Sequence, residues 1–132
     1  MLIFAIDDEP KALKDLHKAI VKAAPEAEVM DFSLAAKALR TMETGLKPDI
    51  VFSDIRMPGI DGMMLARRLK QTSPTTGIVF VSAFTKYAYD AMKLRVDGYV
   101  MKPAQADRIR EEIGVIVSRN ASRNYDEKVS IQ

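Results

Sequence analysis

Apolar residues fall in five short runs along the chain: Leu2 to Ile6, Glu28 to Phe32, Ile50 to Ser53, Ile78 to Val81 and Tyr99 to Met101. Each is rich in β-branched or aromatic residues and is predicted as a strand. Between them the apolar positions recur at helical spacing, as in Leu13, Leu16, Ile20 and Ala24, or Leu34, Ala35, Ala38, Leu39 and Met42. The later helices are predicted over Gly62–Gln71, Thr85–Leu94 and Gln105–Val117. The punctuation fits: Pro10 suits a first helical turn, Ser33 an N-cap, Gly45 a C-terminal stop, and Pro74 the break before the fourth strand. Strand and helix thus alternate five times. Such alternation requires crossover connections, hence an α/β doubly wound (βα)5 fold with a parallel sheet covered on both faces. The continuously apolar runs Ile50-Val51-Phe52 and Ile78-Val79-Phe80-Val81 are those of strands buried on both sides.

Open parallel sheets bind ligands beyond the carboxyl ends of their strands. The first strand runs into Asp7 and Asp8, the third into Asp54, the fourth into Ser82, and the fifth into Lys102 and Pro103. Three carboxylates, a hydroxyl and an ammonium therefore share one rim. Carboxylates so placed repel one another, and a hard dication relieves the repulsion; Mg2+ takes one or two protein carboxylates together with water and phosphate oxygens. Asp54, ending a central strand, is the candidate nucleophile for an aspartyl phosphate, with Asp7 and Asp8 holding the metal. Lys102 and the Ser82 hydroxyl are placed to neutralise the phosphoryl oxygens, and no separate general base is required.

Composition narrows the remaining choices. The 132 residues make one domain, 48% hydrophobic and 29% charged, as in ordinary soluble proteins. Without cysteine there is no disulfide, thiolate metal site or cysteine nucleophile, and His17, the only histidine, falls mid-helix as a surface residue. The run Leu2–Ile6 is too short for a signal peptide or membrane span, so a cytoplasmic protein is expected. Lys plus Arg exceed Asp plus Glu only by 20 to 18, so DNA contact is expected only through a separate output domain.

Taken singly, each motif is ordinary. Asp7 to Glu9 suits a helix N-terminus, Pro58-Gly59 and Asp61-Gly62 are turn chemistry, Tyr99 suits a core, and Lys102 a solvated charge. In order, however, Asp7-Asp8-Glu9-Pro10, Ser53-Asp54-Ile55-Arg56-Met57-Pro58-Gly59-Ile60-Asp61-Gly62, Ser82-Ala83 and Tyr99-Val100-Met101-Lys102-Pro103 closely resemble the receiver domain of two-component response regulators, from Met1 to about Val117. The resemblance implies a flavodoxin-like sheet in the order 2-1-3-4-5 and a cis peptide before Pro103. It implies a phosphorylation-activated switch, not an enzyme turning over a separate substrate, that takes a phosphoryl group from a sensor histidine kinase onto Asp54. In it Asp7, Asp8, Asp54 and the backbone carbonyl of Arg56 would hold Mg2+, Ser82 and Tyr99 would form the switch pair, and Lys102 would bind phosphate.

Further expectations follow from the likeness. The segment Ala83–Asp97 is similar to receivers that precede DNA-binding output domains, which implies control of transcription. Similar receivers form homodimers through helix 4, strand 5 and helix 5, where Lys93, Arg95, Asp97, Asp107, Arg108, Glu111 and Glu112 supply mixed charge. Arg56 and Phe84, two residues beyond Asp54 and Ser82, would flank the approach of hydrolytic water, and neither can activate it, so a slowly decaying phosphoprotein is expected. The receiver is assigned to residues 1–118. The polar run Ser118–Asn124 is predicted as a mobile or extended linker, and Lys128–Gln132, which alternates like a strand, as the start of an output domain. A flavin protein is disfavoured because no Ser/Thr/Gly-rich loop follows the first strand, and a phosphoaspartyl hydrolase because two aspartates one residue apart are absent there.

Overall fold

A computed structural model describes the backbone of residues 1–131 and the side chains of residues 1–123. The elements run β1 (Leu2–Ile6), α1 (Pro10–Ala23), β2 (Glu28–Phe32), α2 (Ala35–Glu43), β3 (Ile50–Ser53), α3 (Gly62–Thr72), β4 (Gly77–Ser82), α4 (Ala88–Lys93), β5 (Gly98–Met101) and α5 (Ala106–Ile131). The five strands form one parallel sheet in the order β2-β1-β3-β4-β5, so the expected doubly wound α/β fold is present.

Every residue of β3 and β4 is buried, as two-sided coverage by helices demands. One face of the sheet packs Phe4, Val51, Ile78 and Phe80 against Ala38 of α2, Leu65 and Leu69 of α3 and Ala91 of α4. The other packs Ile3, Phe52 and Val79 against Leu16 and Ile20 of α1 and Ile109, Ile113 and Ile116 of α5. Packing on both sides fixes the register, because a one-residue slip would exchange the two inward-facing sets. That register brings Ile6, Ser53 and Ser82, the last residues of β1, β3 and β4, to the same edge.

The ends of several elements differ from expectation. Helix α2 is capped at Leu34 without a side-chain hydrogen bond, not at Ser33. The Leu34 carbonyl receives the first amides, from Lys37 and Ala38, in the phase that turns Ala35, Ala38 and Met42 inward. Gly45 does stop this helix, at φ 100°, where its amide closes onto the Met42 carbonyl at 3.0 Å. Helix α4 begins at Ala88, not Thr85. The Phe84 carbonyl that would accept the first helical bond is instead taken by the Tyr99 hydroxyl, and the Ala88 amide closes a turn onto Thr85. Helix α5 runs through the predicted linker and through the first four residues of the predicted strand Lys128–Gln132, Gln132 itself lying outside the described residues. Ser118–Asn124 has neither Gly nor Pro, so a helix already nucleated on the sheet propagates through it.

Candidate functional site

Asp7 follows β1 and is 1% exposed. Its Oδ1 accepts the Glu9 amide at 3.0 Å, which fixes the carboxylate at the start of α1, and its Oδ2 lies 2.8 Å from Nζ of Lys102. Asp54 follows β3, anchored by its amide to the Ile6 carbonyl at 2.9 Å. Its Oδ1 accepts the Ile55 amide at 2.8 Å, and its Oδ2 lies 3.3 Å from the same Lys102 ammonium. Asp8 stands exposed beside them, and one oxygen from each of Asp7, Asp8 and Asp54 falls within 4.8 Å of the others. Three oxygen donors in that space suit a hard, partly hydrated divalent ion such as Mg2+. The expected convergence of three acids and one ammonium is therefore present.

Lys102 directly follows β5, whose end is held by the bond from the Lys102 amide to the Ser82 carbonyl at 2.8 Å, and the peptide between Lys102 and Pro103 is cis. Burial works against its charge, but the bond to Asp7 and the neighbouring Asp54 outweigh this and hold the ammonium above its ordinary pKa. Burial and the charge of Asp7 push the Asp54 carboxyl above its ordinary value near 3.8, although the Ile55 amide and Lys102 pull the other way. Burial is the largest of these influences. A carboxylate with part of its solvation removed is a stronger nucleophile than one in water, and its open face adjoins a cavity of about 540 Å³ lined by Asp8, Arg56, Ser82, Phe84 and Lys102.

Ser82 is 2% exposed at the end of β4, with its Oγ accepting the Phe84 amide at 3.1 Å. Tyr99 on β5 donates its hydroxyl to the Phe84 carbonyl. The two residues expected to work as a pair are thus joined through the main chain of one residue, Phe84, whose ring is 53% exposed. That junction is not legible in the sequence, because it is made by the main chain of Phe84 and not by its side chain. Neither was the bond from Arg56 Nη1 to the Tyr87 hydroxyl at 2.9 Å, which spans 31 positions and ties the loop after β3 to the start of α4. This bond lowers the Tyr87 phenol pKa and raises that of Arg56. Gly62 also gains a role. A Cβ there would lie 2.4 Å from the Asp54 carbonyl oxygen and 2.8 Å from the Ile55 Cα, so α3 approaches the backbone of Asp54 itself. Asp61 caps that helix through the Met64 amide at 2.9 Å.

Among the mixed charges expected on a dimer face, several are already paired within the chain: Arg108 with Glu111 at 2.7 Å and Glu112 at 3.0 Å, Arg110 with Asp107 at 2.8 Å, and Asp97 with Arg119. His17 is half-exposed on α1 as expected, 2.8 Å from Asp31. No helix among the described residues is long and apolar enough to cross a membrane.

Comparison with known proteins agrees with this geometry. The sequence profile of the response regulator receiver domain matches residues 3–114. The positive alginate biosynthesis regulatory protein of Pseudomonas aeruginosa is 30% identical over 113 residues, a match covering 86% of this chain and 46% of that protein. The chain therefore spans about half the length of the curated relatives it matches. Among solved structures, the receiver domain of a Clostridium thermocellum response regulator superposes with a TM-score of 0.80 at 26% identity, covering 91% of this chain and 96% of the other. The response regulator TrrA of Thermotoga maritima, solved in complex with Mg2+ and BeF, superposes with a TM-score of 0.74 at 26% identity, covering 87% and 97%. With an acidic cluster and a lysine at the carboxyl ends of a 2-1-3-4-5 sheet, and a profile match over most of its length, the chain belongs to the response regulator receiver domain family.

Proposed function

We propose that this chain is a phosphorylation-driven switch in which Asp54 accepts a phosphoryl group from the phosphohistidine of a sensor histidine kinase in the cytoplasm. The observation that carries this reading is the single Lys102 ammonium bridging Asp7 at 2.8 Å and Asp54 at 3.3 Å, with Asp8 alongside. Asp7, Asp8, Asp54 and the Arg56 backbone carbonyl would hold Mg2+, which when bound supplies hard positive charge for the phosphoryl oxygens. One Asp54 carboxylate oxygen attacks phosphorus as the P–N bond breaks, and the electron pair stays with the departing imidazole nitrogen. Lys102 steadies the charge on the phosphoryl oxygens, and Asp7 keeps Lys102 in place.

The switch follows from the bonds around Phe84. In the reading proposed here, Ser82 Oγ turns from the Phe84 amide to the phosphoryl group, and Tyr99 then moves inward behind the loop. Charge-assisted hydrogen bonds contribute roughly 1.5–3 kcal/mol each, so those from Lys102 and Ser82 together approach the ~5.5 kcal/mol that carries a two-state equilibrium from 1:99 to 99:1. The surface that would report the change is α4 and β5, where Tyr89 is 61%, Met92 67% and Met101 41% exposed. That apolar patch, more than the internally paired charges, supports a symmetric dimer of the activated form. Residues 1–118 form the receiver, and the helical 119–131 leads toward an output domain that controls transcription by binding DNA. Incubation with a small phosphodonor and Mg2+ tests the core of this reading: stoichiometric labelling of the wild type that is removed by base and by hydroxylamine is expected, and equal labelling of Asp54→Asn would refute it.

A further inference from the structure

Arg56 and Phe84 line the cavity beside Asp54 from two different loops, and a run of side-chain contacts joins them. Arg56 Nη1 donates to the Tyr87 hydroxyl at 2.9 Å. The Tyr87 ring stands edge-on to that of Phe84, with centroids 6.3 Å apart and planes at 83°. Nζ of Lys86 lies 5.2 Å from the centre of the Phe84 ring and 5.3 Å from that of Tyr87. Tyr87 is also the residue on which α4 starts: its carbonyl accepts the Ala91 amide at 3.0 Å, and its ring packs against the buried cluster that includes Leu65 and Ala91. The bond from Arg56 therefore ties the loop after β3 to the start of α4. Two cations share one neutral phenol there. Asp61, in the same loop as Arg56, is bound to the Met64 amide, and among the described residues neither Asp61 nor the cavity-lining Asp8 and Glu9 forms an ion pair with Arg56.

A phosphoryl group on Asp54 would bring roughly two negative charges into the cavity that Arg56 lines. The planar guanidinium matches phosphate oxygens with parallel N–H donors, and bonds to an ionised acceptor are about twice as strong as those to a neutral one. The Tyr87 hydroxyl offers Arg56 only a neutral acceptor. We propose that Arg56 is a phosphoryl-binding residue and that Tyr87 is the positioning residue that holds it before phosphorylation. On phosphorylation the guanidinium leaves the Tyr87 hydroxyl for the phosphoryl oxygens, and the start of α4 is released from the loop after β3. This exchange is separate from that of Ser82, which acts on the main chain of Phe84, whereas Arg56 acts on the side chain of Tyr87 further along the same turn. It rests on the reading of Asp54 as the phosphoacceptor.

The test titrates beryllium fluoride with Mg2+, a phosphoryl mimic, into the 132-residue chain and its variants, with binding read from amide NMR shifts. Tyr87→Phe keeps the ring and its packing but removes the acceptor that competes for Arg56, so it should bind the mimic about two- to tenfold more tightly, the worth of one hydrogen bond. Arg56→Met, at an exposed position, should bind it about tenfold more weakly, and Arg56→Lys should fall between. In the Arg56→Met background Tyr87→Phe should alter the affinity by less than about twofold, because no guanidinium is left to hold. In the wild type the Arg56 guanidinium resonances should shift on saturation, and the Tyr87 and Ala88 amides should move in the direction already taken by unloaded Tyr87→Phe. A ring that only supports the fold predicts the opposite sign, weaker binding by Tyr87→Phe whichever residue stands at position 56. Affinity in Tyr87→Phe equal to or below that of the wild type would overturn the proposal, as would wild-type affinity in Arg56→Met or an equal effect of Tyr87→Phe in both backgrounds. An Asp54 that takes no label from a phosphodonor removes both readings, whereas a labelled Asp54 with any of these results removes only this one.

Discussion

Replacing Gly62 by alanine should damage both the fold and the chemistry, by an amount the structure allows to be bounded. The new Cβ would sit 2.4 Å from the Asp54 carbonyl oxygen, about 1 Å short of ordinary contact near 3.4 Å, and 2.8 Å from the Ile55 Cα. Both obstacles are backbone, so no side chain can rotate away; either α3 retreats or the Asp54–Ile55 segment does. Overpacking of this kind costs about 1–3 kcal/mol, and the reduced freedom of the unfolded chain returns about 0.4–1 kcal/mol. The net loss is about 1–2 kcal/mol, which lowers Tm by about 4–8 °C for a domain of this size. A nucleophile displaced by about 1 Å loses on the order of a hundredfold in rate. Thermal unfolding and the initial rate of labelling by a small phosphodonor measure the two effects. Gly114→Ala, on the same scaffold but with nothing within 4 Å of its Cβ and helical backbone, serves as the contrast and should be stabilising by about 0.5–1 kcal/mol. Wild-type Tm and labelling rate in Gly62→Ala would refute the reasoning, and lost stability with a normal rate would show that α3 alone gives way.

Four further outcomes are expected. Lys102→Met leaves Asp7 and Asp54 facing each other without their shared cation, so the labelling rate at saturating donor should fall at least about a hundredfold with the fold retained by circular dichroism; a rate within a factor of three of wild type contradicts the role given to Lys102. Because the Asp54 carboxyl pKa is raised by burial, the folded state holds this proton more tightly than the unfolded state does, and the resulting stabilisation, present below the ordinary value near 3.8, is lost as pH rises through the raised value. In metal-free buffer Asp54→Asn should therefore melt above the wild type at pH 7 and lose that advantage below about pH 3.8; a variant that melts lower at pH 7 reverses the sign. Ser82→Ala should accept phosphate yet lose the bond to the Phe84 amide, so the NMR shifts of Phe84 and of α4 should already differ before phosphorylation and change little after it; a wild-type response would show that Ser82 Oγ is not the trigger. Finally, Phe84 places an apolar ring at the cavity, and Arg56 is held by Tyr87, so neither supplies an acceptor for hydrolytic water: the phosphoryl group should persist for minutes or longer after donor removal, Phe84→Asn should shorten that lifetime, and decay of the wild type within seconds would reject the idea.

The parts of this structure legible in the sequence are those set by short-range pattern. Continuous apolar runs marked β3 and β4, and strand-end acids marked the rim, because chemistry at the carboxyl edge of a parallel sheet must come from residues directly after its strands. What escaped depends on contacts between distant segments. The late start of α4 goes with a bond from the Tyr99 hydroxyl to the Phe84 carbonyl, fifteen positions away, and a turn closed by the Ala88 amide on Thr85. The Arg56–Tyr87 bond joins residues whose types give no hint of pairing. Gly62 looked like turn chemistry because spacing cannot reveal that a helix end abuts the backbone of Asp54. The helical conformation of Ser118–Asn124 escaped for a different reason: small polar residues describe solvent exposure, and an exposed helix continuing from a packed one has the same composition as a coil.

The uneven burial of the sheet has a consequence for how the domain breathes. Local opening follows the depth of packing, so amides of β3 and β4, buried at every position, should exchange only through global unfolding, whereas the edge strands β2 and β5, each with only one fully buried residue, should exchange through smaller openings. Asp54 is borne by the slow-exchanging centre and Tyr99 by the fast-exchanging margin. The chemical event is thereby mounted on the part of the protein that does not yield, and the readout on the part that yields cheaply. In the switch proposed above, phosphorylation of Asp54 would then need to redistribute only the shallow motions of one edge.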